Sequence, residues 1–260
     1  MRTRNGGSKF RYCNSGRHRR LLKLFTAFTV PLAPYTYLLL DAFTLLGPLL
    51  LSFDKKVAFW RSWPALMRGL LPTAAFFIFW DVLFTRWGIW GFNYSYLTGR
   101  IILGLPIEEW LFFIVVPYAC AFIYACVRAY GRWQGPDKGI VPTMVLGIVL
   151  LIVGIVFWQR AYTLYAFGGC GLGCLLAVAF RKRAPAFRFD TFLLSYLIIL
   201  GPFLLVNGVL TALPVVVYND AENLSMRMYT IPVEDTFYGM LMVLGSVFGQ
   251  HLLLRKQASL

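Results

Sequence analysis

Acidic side chains are scarce in this sequence. Its 260 residues hold 11 Asp and Glu against 25 Lys and Arg, and charged residues make up only 14%. A soluble domain averages about 25% charged, so an ordinary soluble globule is excluded. The 2 histidines, His18 and His251, are too few to suggest a metal site. The five cysteines (Cys13, Cys120, Cys126, Cys170 and Cys174) form no C-x-x-C pair. Four of them lie in apolar segments and read as small buried hydrophobes. There is no dinucleotide fingerprint after a strand, no P-loop and no nucleophile elbow. Gly168-Gly169, Gly171 and Gly173 sit inside an apolar span, where close helix packing is the better reading. The basic surplus falls in short runs such as Lys55-Lys56, Arg181-Lys182-Arg183 and Arg255-Lys256. Runs of that kind set membrane topology; nucleic-acid binding needs a contiguous basic surface.

What the chain has in abundance is apolar sequence: 59% hydrophobic residues and a mean hydropathy of +0.66. Segments near 33–51, 69–86, 105–128, 139–158, 161–180, 190–211 and 231–254 approach the ~20 residues a transmembrane helix needs. The expected fold is all-α, a polytopic membrane protein with about seven transmembrane helices. Aromatics at 17% exceed what interfacial belts require and could line a cavity for a long, flat, apolar ligand. Residues 1–33 form a basic tail, expected to be disordered. The repeated architecture begins only near Pro34, so a start site downstream of the tail is an alternative.

The few acids are not scattered. Pro106-Ile107-Glu108-Glu109 recurs as Pro232-Val233-Glu234-Asp235, an offset of 126 residues. The same ungapped offset aligns Asp81 with Asn207, Phe92 with Tyr218 and Asn93 with Asn219. It pairs the first span with the fifth, the second with the sixth and the third with the seventh, leaving the fourth as a linker. One linking span makes the halves parallel repeats, related by an axis along the membrane normal. The expected divisions are 34–138 for the first repeat and 139–260 for the linking helix and second repeat. Basic residues crowd the loops at one membrane end, which puts that end and the C-terminus in the cytoplasm.

Pro106 and Pro232 are placed to open helices, so Glu108, Glu109, Glu234 and Asp235 fall in first turns. There the helix dipole favours the carboxylate, while apolar burial favours the neutral acid that an acid catalyst requires. Adjacent residues do not share a helix face. All four are candidate catalytic acids; Glu108 and Glu234 are expected to face the interior, with Glu109 and Asp235 turned to polar partners or the interface. Simple helix capping at the water boundary is the plain alternative; duplication in register favours chemistry, because intramembrane acids are usually functional. Asp81 and Asn207 read as a shared substrate site or as buried structural partners. Asn93 and Asn219 read as site residues or as turn formers. Trp90, Phe92, Phe112 and Tyr218 are expected to contact substrate, with packing as the alternative. The loops 90–96 and 217–223 would cover the acid-bearing membrane end.

The Pro106–Phe113 stretch preceded by Trp90-Gly91-Phe92-Asn93, the second motif at 232–235, and Tyr35–Asp41 resemble the membrane lycopene cyclases of the heterodimeric type. Two subunits would here be fused into one bacterial polypeptide. That resemblance implies a lycopene β-cyclase, an intramolecular lyase of the isomerase class. It would close the linear ends of lycopene to γ-carotene and then β-carotene, with no redox cofactor. It also implies a multi-pass cell-membrane location, lycopene and γ-carotene as ligands, and other carotenoid enzymes as candidate associates. A small ion- or proton-coupled transporter and a non-catalytic carotenoid-binding subunit are the rival classes.

Overall fold

The computed structural model describes residues 33–254. The basic tail through residue 32 and the Arg255-Lys256 run lie outside them. Among the described residues, seven helices carry the chain: α1 Thr36–Leu51, α2 Trp63–Arg86, α3 Ile107–Tyr130, α4 Ile140–Val156, α5 Ala161–Ala179, α6 Phe189–Ala212 and α7 Val233–Leu254. α5 contains one π turn, Leu164–Gly168. Five helices meet both the length and the apolarity needed to cross a membrane. α4 is apolar but shorter, at 17 residues. α7, with 22 residues, is about 33 Å long at 1.5 Å per residue. The chain is an all-α polytopic membrane protein built of two parallel three-helix repeats.

The repeat is visible in the element boundaries. Adding 126 to the limits of α2 (63–86) gives those of α6 (189–212), and Ile107 at the start of α3 maps to Val233 at the start of α7. Both repeats run in the same direction. The start of α1 meets the start of α3 through Tyr37 and Glu109; the start of α5 meets the start of α7 through Tyr162 and Asp235. At the far end Arg128 and His251, near the ends of α3 and α7, lie 3.0 Å apart. There the linker is tied to the second repeat: Asp137 accepts the Phe189 and Asp190 amides at 2.6 and 3.0 Å, capping α6.

Short β-ribbons at the acid end were not anticipated. They are β1 Trp90–Phe92, β2 Ile101–Ile102, β3 Leu105–Pro106, β4 Val216–Tyr218, β5 Arg227–Met228 and β6 Ile231–Pro232. Two- and three-residue strands are too short for a period-2 pattern to appear in sequence. β1 pairs with β4 antiparallel, Trp90 opposite Tyr218 and Phe92 opposite Val216. Because 90 maps to 216 and 92 to 218, this pairing is reciprocal and the pseudo-two-fold axis passes between Gly91 and Val217. Asn93 N–H donates to Val215 O and Asn219 N–H to Ile89 O, both at 2.9 Å, repeating the symmetry one residue further out.

β2–β3 and β5–β6 are tight hairpins that end on the two prolines. Leu103 and Gly104 both take positive φ, as a type I′ hairpin turn requires. Tyr229 repeats the positive φ of Leu103 in the second hairpin. Each hairpin holds its helix start: Ile107 N–H donates to Arg100 O at 2.9 Å and Val233 N–H to Met226 O at 3.0 Å. The glycines of α5 serve packing. A Cβ on Gly171 would lie 2.6 Å from Gly147 O, so α4 and α5 touch backbone to backbone.

α2 and α7 are equally close, since a Cβ on Gly69 would lie 2.3 Å from Ser246 O and 2.4 Å from Gln250 N. Gly69→Leu is expected to lower stability by about 1–3 kcal/mol or more through overpacking. Gly201→Ala, on α6 with nothing within 4 Å of its Cβ, is expected to be neutral or to gain up to about 1 kcal/mol of helix propensity. Thermal unfolding in one detergent compares the two; equal melting temperatures would contradict the close α2–α7 contact.

Candidate active site

The hairpins deliver four carboxyl groups to one end of the bundle, all buried. Glu108 and Glu109 occupy the second and third positions of α3, and Glu234 and Asp235 those of α7. Consecutive helical positions point about 100° apart, so each pair divides its duties.

Glu108 turns back towards the loop that precedes its helix. Its Oε1 accepts the Thr98 amide at 2.7 Å. Glu234 does the same, accepting the Leu224 amide at 2.7 Å and the Thr163 hydroxyl at 2.7 Å. Thr98 and Leu224 are again 126 residues apart. These two acids anchor loops, and neither lines the central cavity. Glu108 and Glu234 are buried in the interior, as expected of them, but the acids that line the cavity are Glu109 and Asp235. A partly buried loop N–H is best met by an acceptor, and the first acid of each motif supplies it.

The cavity pair is Glu109 and Asp235. Both line a cavity of about 60 Å³ between the repeats. Tyr37 donates to Glu109 Oε2 at 2.6 Å. Tyr162 donates to Asp235 Oδ1, and Tyr218 to Asp235 Oδ2 at 2.8 Å. Burial, and next the adjoining Asp235, push the Tyr218 hydroxyl well above its usual range, so it remains a donor. Tyr37, within the Tyr35–Asp41 stretch that carries the resemblance, and Tyr162 hold these acids. Their offsets differ by one: Tyr37 aligns with Thr163, which serves Glu234 instead.

The rest of the wall is apolar, with many aromatic rings among aliphatic side chains. Trp90, Phe92, Phe112, Tyr218 and Tyr238 line the cavity, as does Asn207. The Trp90 ring lies edge-on to Phe84, Tyr162 and Tyr238, at 4.9, 5.2 and 5.8 Å between centroids. Asp81 accepts the Trp90 indole N–H at 2.5 Å and does not line the cavity, so its role in this structure is to hold that ring. Position 216, the counterpart of Trp90, is Val. Asn207 thus has no indole to hold, and its side chain donates to Phe203 O in its own helix at 3.2 Å.

Asn93 and Asn219 are turn residues, correcting their expected place in the site. Each side-chain oxygen accepts the amide two residues on, Ser95 or Ala221, at 3.1 Å, and neither residue lines the cavity.

A family model described as lycopene cyclase matches this chain twice, over residues 34–127 and 159–253. The chain belongs to the lycopene cyclase family. No curated protein and no solved structure matches it. The two matched regions of this lycopene cyclase each contain one proline-acid motif, and the cavity takes one carboxyl group from each. Glu108→Leu should cost about 1–3 kcal/mol by leaving the Thr98 amide without its acceptor, whereas Glu108→Gln keeps a carbonyl acceptor and most of the stability. Glu234→Leu strands two donors and should cost more. Melting temperature and proteolysis of the 93–100 loop read both effects; a Glu108→Leu protein as stable as wild type would remove the anchoring role.

Proposed function

We propose that this carotenoid cyclase closes the linear ends of lycopene into β-rings, giving γ-carotene and then β-carotene, with Glu109 and Asp235 as the proton-handling pair. The observation that carries the proposal is one aromatic cavity bearing one carboxyl group from each repeat. One carboxyl, holding its proton, protonates the terminal double bond. The neighbouring internal alkene attacks the resulting tertiary cation and closes a six-membered ring. A carboxylate then takes a ring proton and leaves the ring alkene. One proton enters and one leaves, no atom is added and no electron is transferred, so the reaction is an isomerisation, the intramolecular lyase class.

The walls suit such a cation. Aromatic faces stabilise positive charge and do not trap it as a nucleophile would. The indole nitrogen of Trp90 is committed to Asp81, and the hydroxyls of Tyr37, Tyr162 and Tyr218 are committed to the two acids. A dry pocket keeps water from capturing the intermediate. The lysines and arginines of the loops 52–62, 131–139 and 180–188 crowd the end opposite the acids. In the proposed orientation that end and the C-terminus are cytoplasmic.

Glu109→Gln and Asp235→Asn, each in lycopene-making bacteria at equal levels of inserted protein, should lower ring formation by about 10²–10⁴-fold, the usual worth of a general acid or base. Near-normal pigment conversion by either variant would remove that residue from the proton path. The halves 1–138 and 139–260 should be inactive when expressed singly and active when expressed together; cyclisation by one half alone would defeat the composite site.

A further inference from the structure

The pseudo-two-fold axis creates two equivalent seams, α2 against α7 and α6 against α3, and the sequence closes only one of them. In the α2–α7 seam Gly69 lies against the backbone of Ser246, Gly249 and Gln250, and Thr73 against Gly245, where a Cβ would come 3.0 Å from Thr73 Oγ1. Shifting by 126 gives the residues of the other seam: Ser195 for Gly69, Ile199 for Thr73, Ala119 for Gly245, Cys120 for Ser246 and Ile123 for Gly249. Side chains replace glycine on both helices, so α3 and α6 cannot approach as α2 and α7 do.

The space they leave is an apolar groove of about 460 Å³ between α1, α3 and α6, and Ala119, Cys120, Ile123 and Ile199 all line it. It adjoins the acid cavity, and Val116, Cys120, Ile199, Phe203 and Asn207 stand in the walls of both. At its outer rim Phe43, Leu46, Leu50 and Leu205 are exposed, facing where the acyl chains of a membrane would lie.

We infer that the α1–α3–α6 groove is the lateral portal of the enzyme and the seat of the polyene chain while one end of the substrate reacts. This rests on the cyclase reading of the acid cavity. A cavity of about 60 Å³ admits no more than a chain terminus; the adjoining groove offers an apolar, water-free bed for the rest. The occupant is a linear isoprenoid hydrocarbon, because the groove's walls present almost no polar group apart from Asn207 and Thr44. With one portal and one acid pair, the two ends of a molecule react in turn, and the singly cyclised product must leave the groove before its other end can enter.

The test fills the groove. Gly47 lines it, and a Cβ there meets nothing within 4 Å, so a Gly47→Phe side chain can start into the groove without a clash at Cβ. Gly201→Phe, on open space outside the groove, is the control. Two readouts are taken for each full-length protein purified from lycopene-making cells: lycopene retained per protein, and rings formed. Gly47→Phe is expected to lose both by about tenfold or more, Gly201→Phe neither, and Glu109→Gln only the rings. Retention and cyclisation both unchanged in Gly47→Phe would overturn the portal. Full ring formation by Glu109→Gln would instead overturn the acid assignment, and the retained lycopene would still decide the groove.

Discussion

A carboxyl group taken out of water must be given donors, and the acid end of this protein is organised around that demand. A buried, unpartnered polar group costs on the order of 1–3 kcal/mol, and more when charged. Four carboxyls enter the bundle together. Two are met at one oxygen each by loop amides, from Thr98 and Leu224, while their second oxygens are buried without a partner, and two are met by tyrosine hydroxyls from the first turns of α1 and α5 and from β4. The hairpins that set the helix starts, the central ribbon and the order of the spans all bring these donors to the acids. Anchoring acids hold the loops in place, and the loops carry the aromatic walls that enclose the other two.

Duplication gives the site its two carboxyls, and divergence between the copies makes it usable. Position 81 is an aspartate that holds an indole, while its counterpart Asn207 faces the cavity. One inter-repeat seam is sealed by glycine against backbone and the other is spread by isoleucine and alanine. Strict symmetry would give two sealed seams, or two open ones with less helix-to-helix contact between the repeats. Among the described residues the carotenoid cyclase has one of each, and the open seam is the one that borders the acid cavity.

Much of this was legible in the sequence. The seven spans, their pairing and the parallel sense of the repeats follow from hydropathy and one ungapped offset, because helix length and insertion obey composition. The four acids were legible for the same reason: carboxylates beside proline at the head of an apolar run stand out. Which acid faces the cavity was not legible. Neighbouring positions on a helix differ by a rotation whose origin is set by the hairpin, and the demand of the Thr98 and Leu224 amides exists only once the loops are folded. The partners of Tyr37 and Tyr162 were not legible, because a tyrosine near the end of a membrane span ordinarily reads as an interfacial residue. The asparagines at 93 and 219 left two readings open, site residue and turn former, and both side chains serve turns in the folded loops.

The central claim is that Glu109 and Asp235, one from each repeat, serve one reacting end of the substrate. A cryo-electron microscopy structure of the Glu109→Gln variant with lycopene bound tests it most directly. The account predicts density for one terminal isoprene unit in the cavity, between position 109 and the Asp235 carboxyl, against the rings of Trp90 and Phe112. A terminus lying beside Glu108 or Glu234, or two termini held in separate cavities, would contradict it.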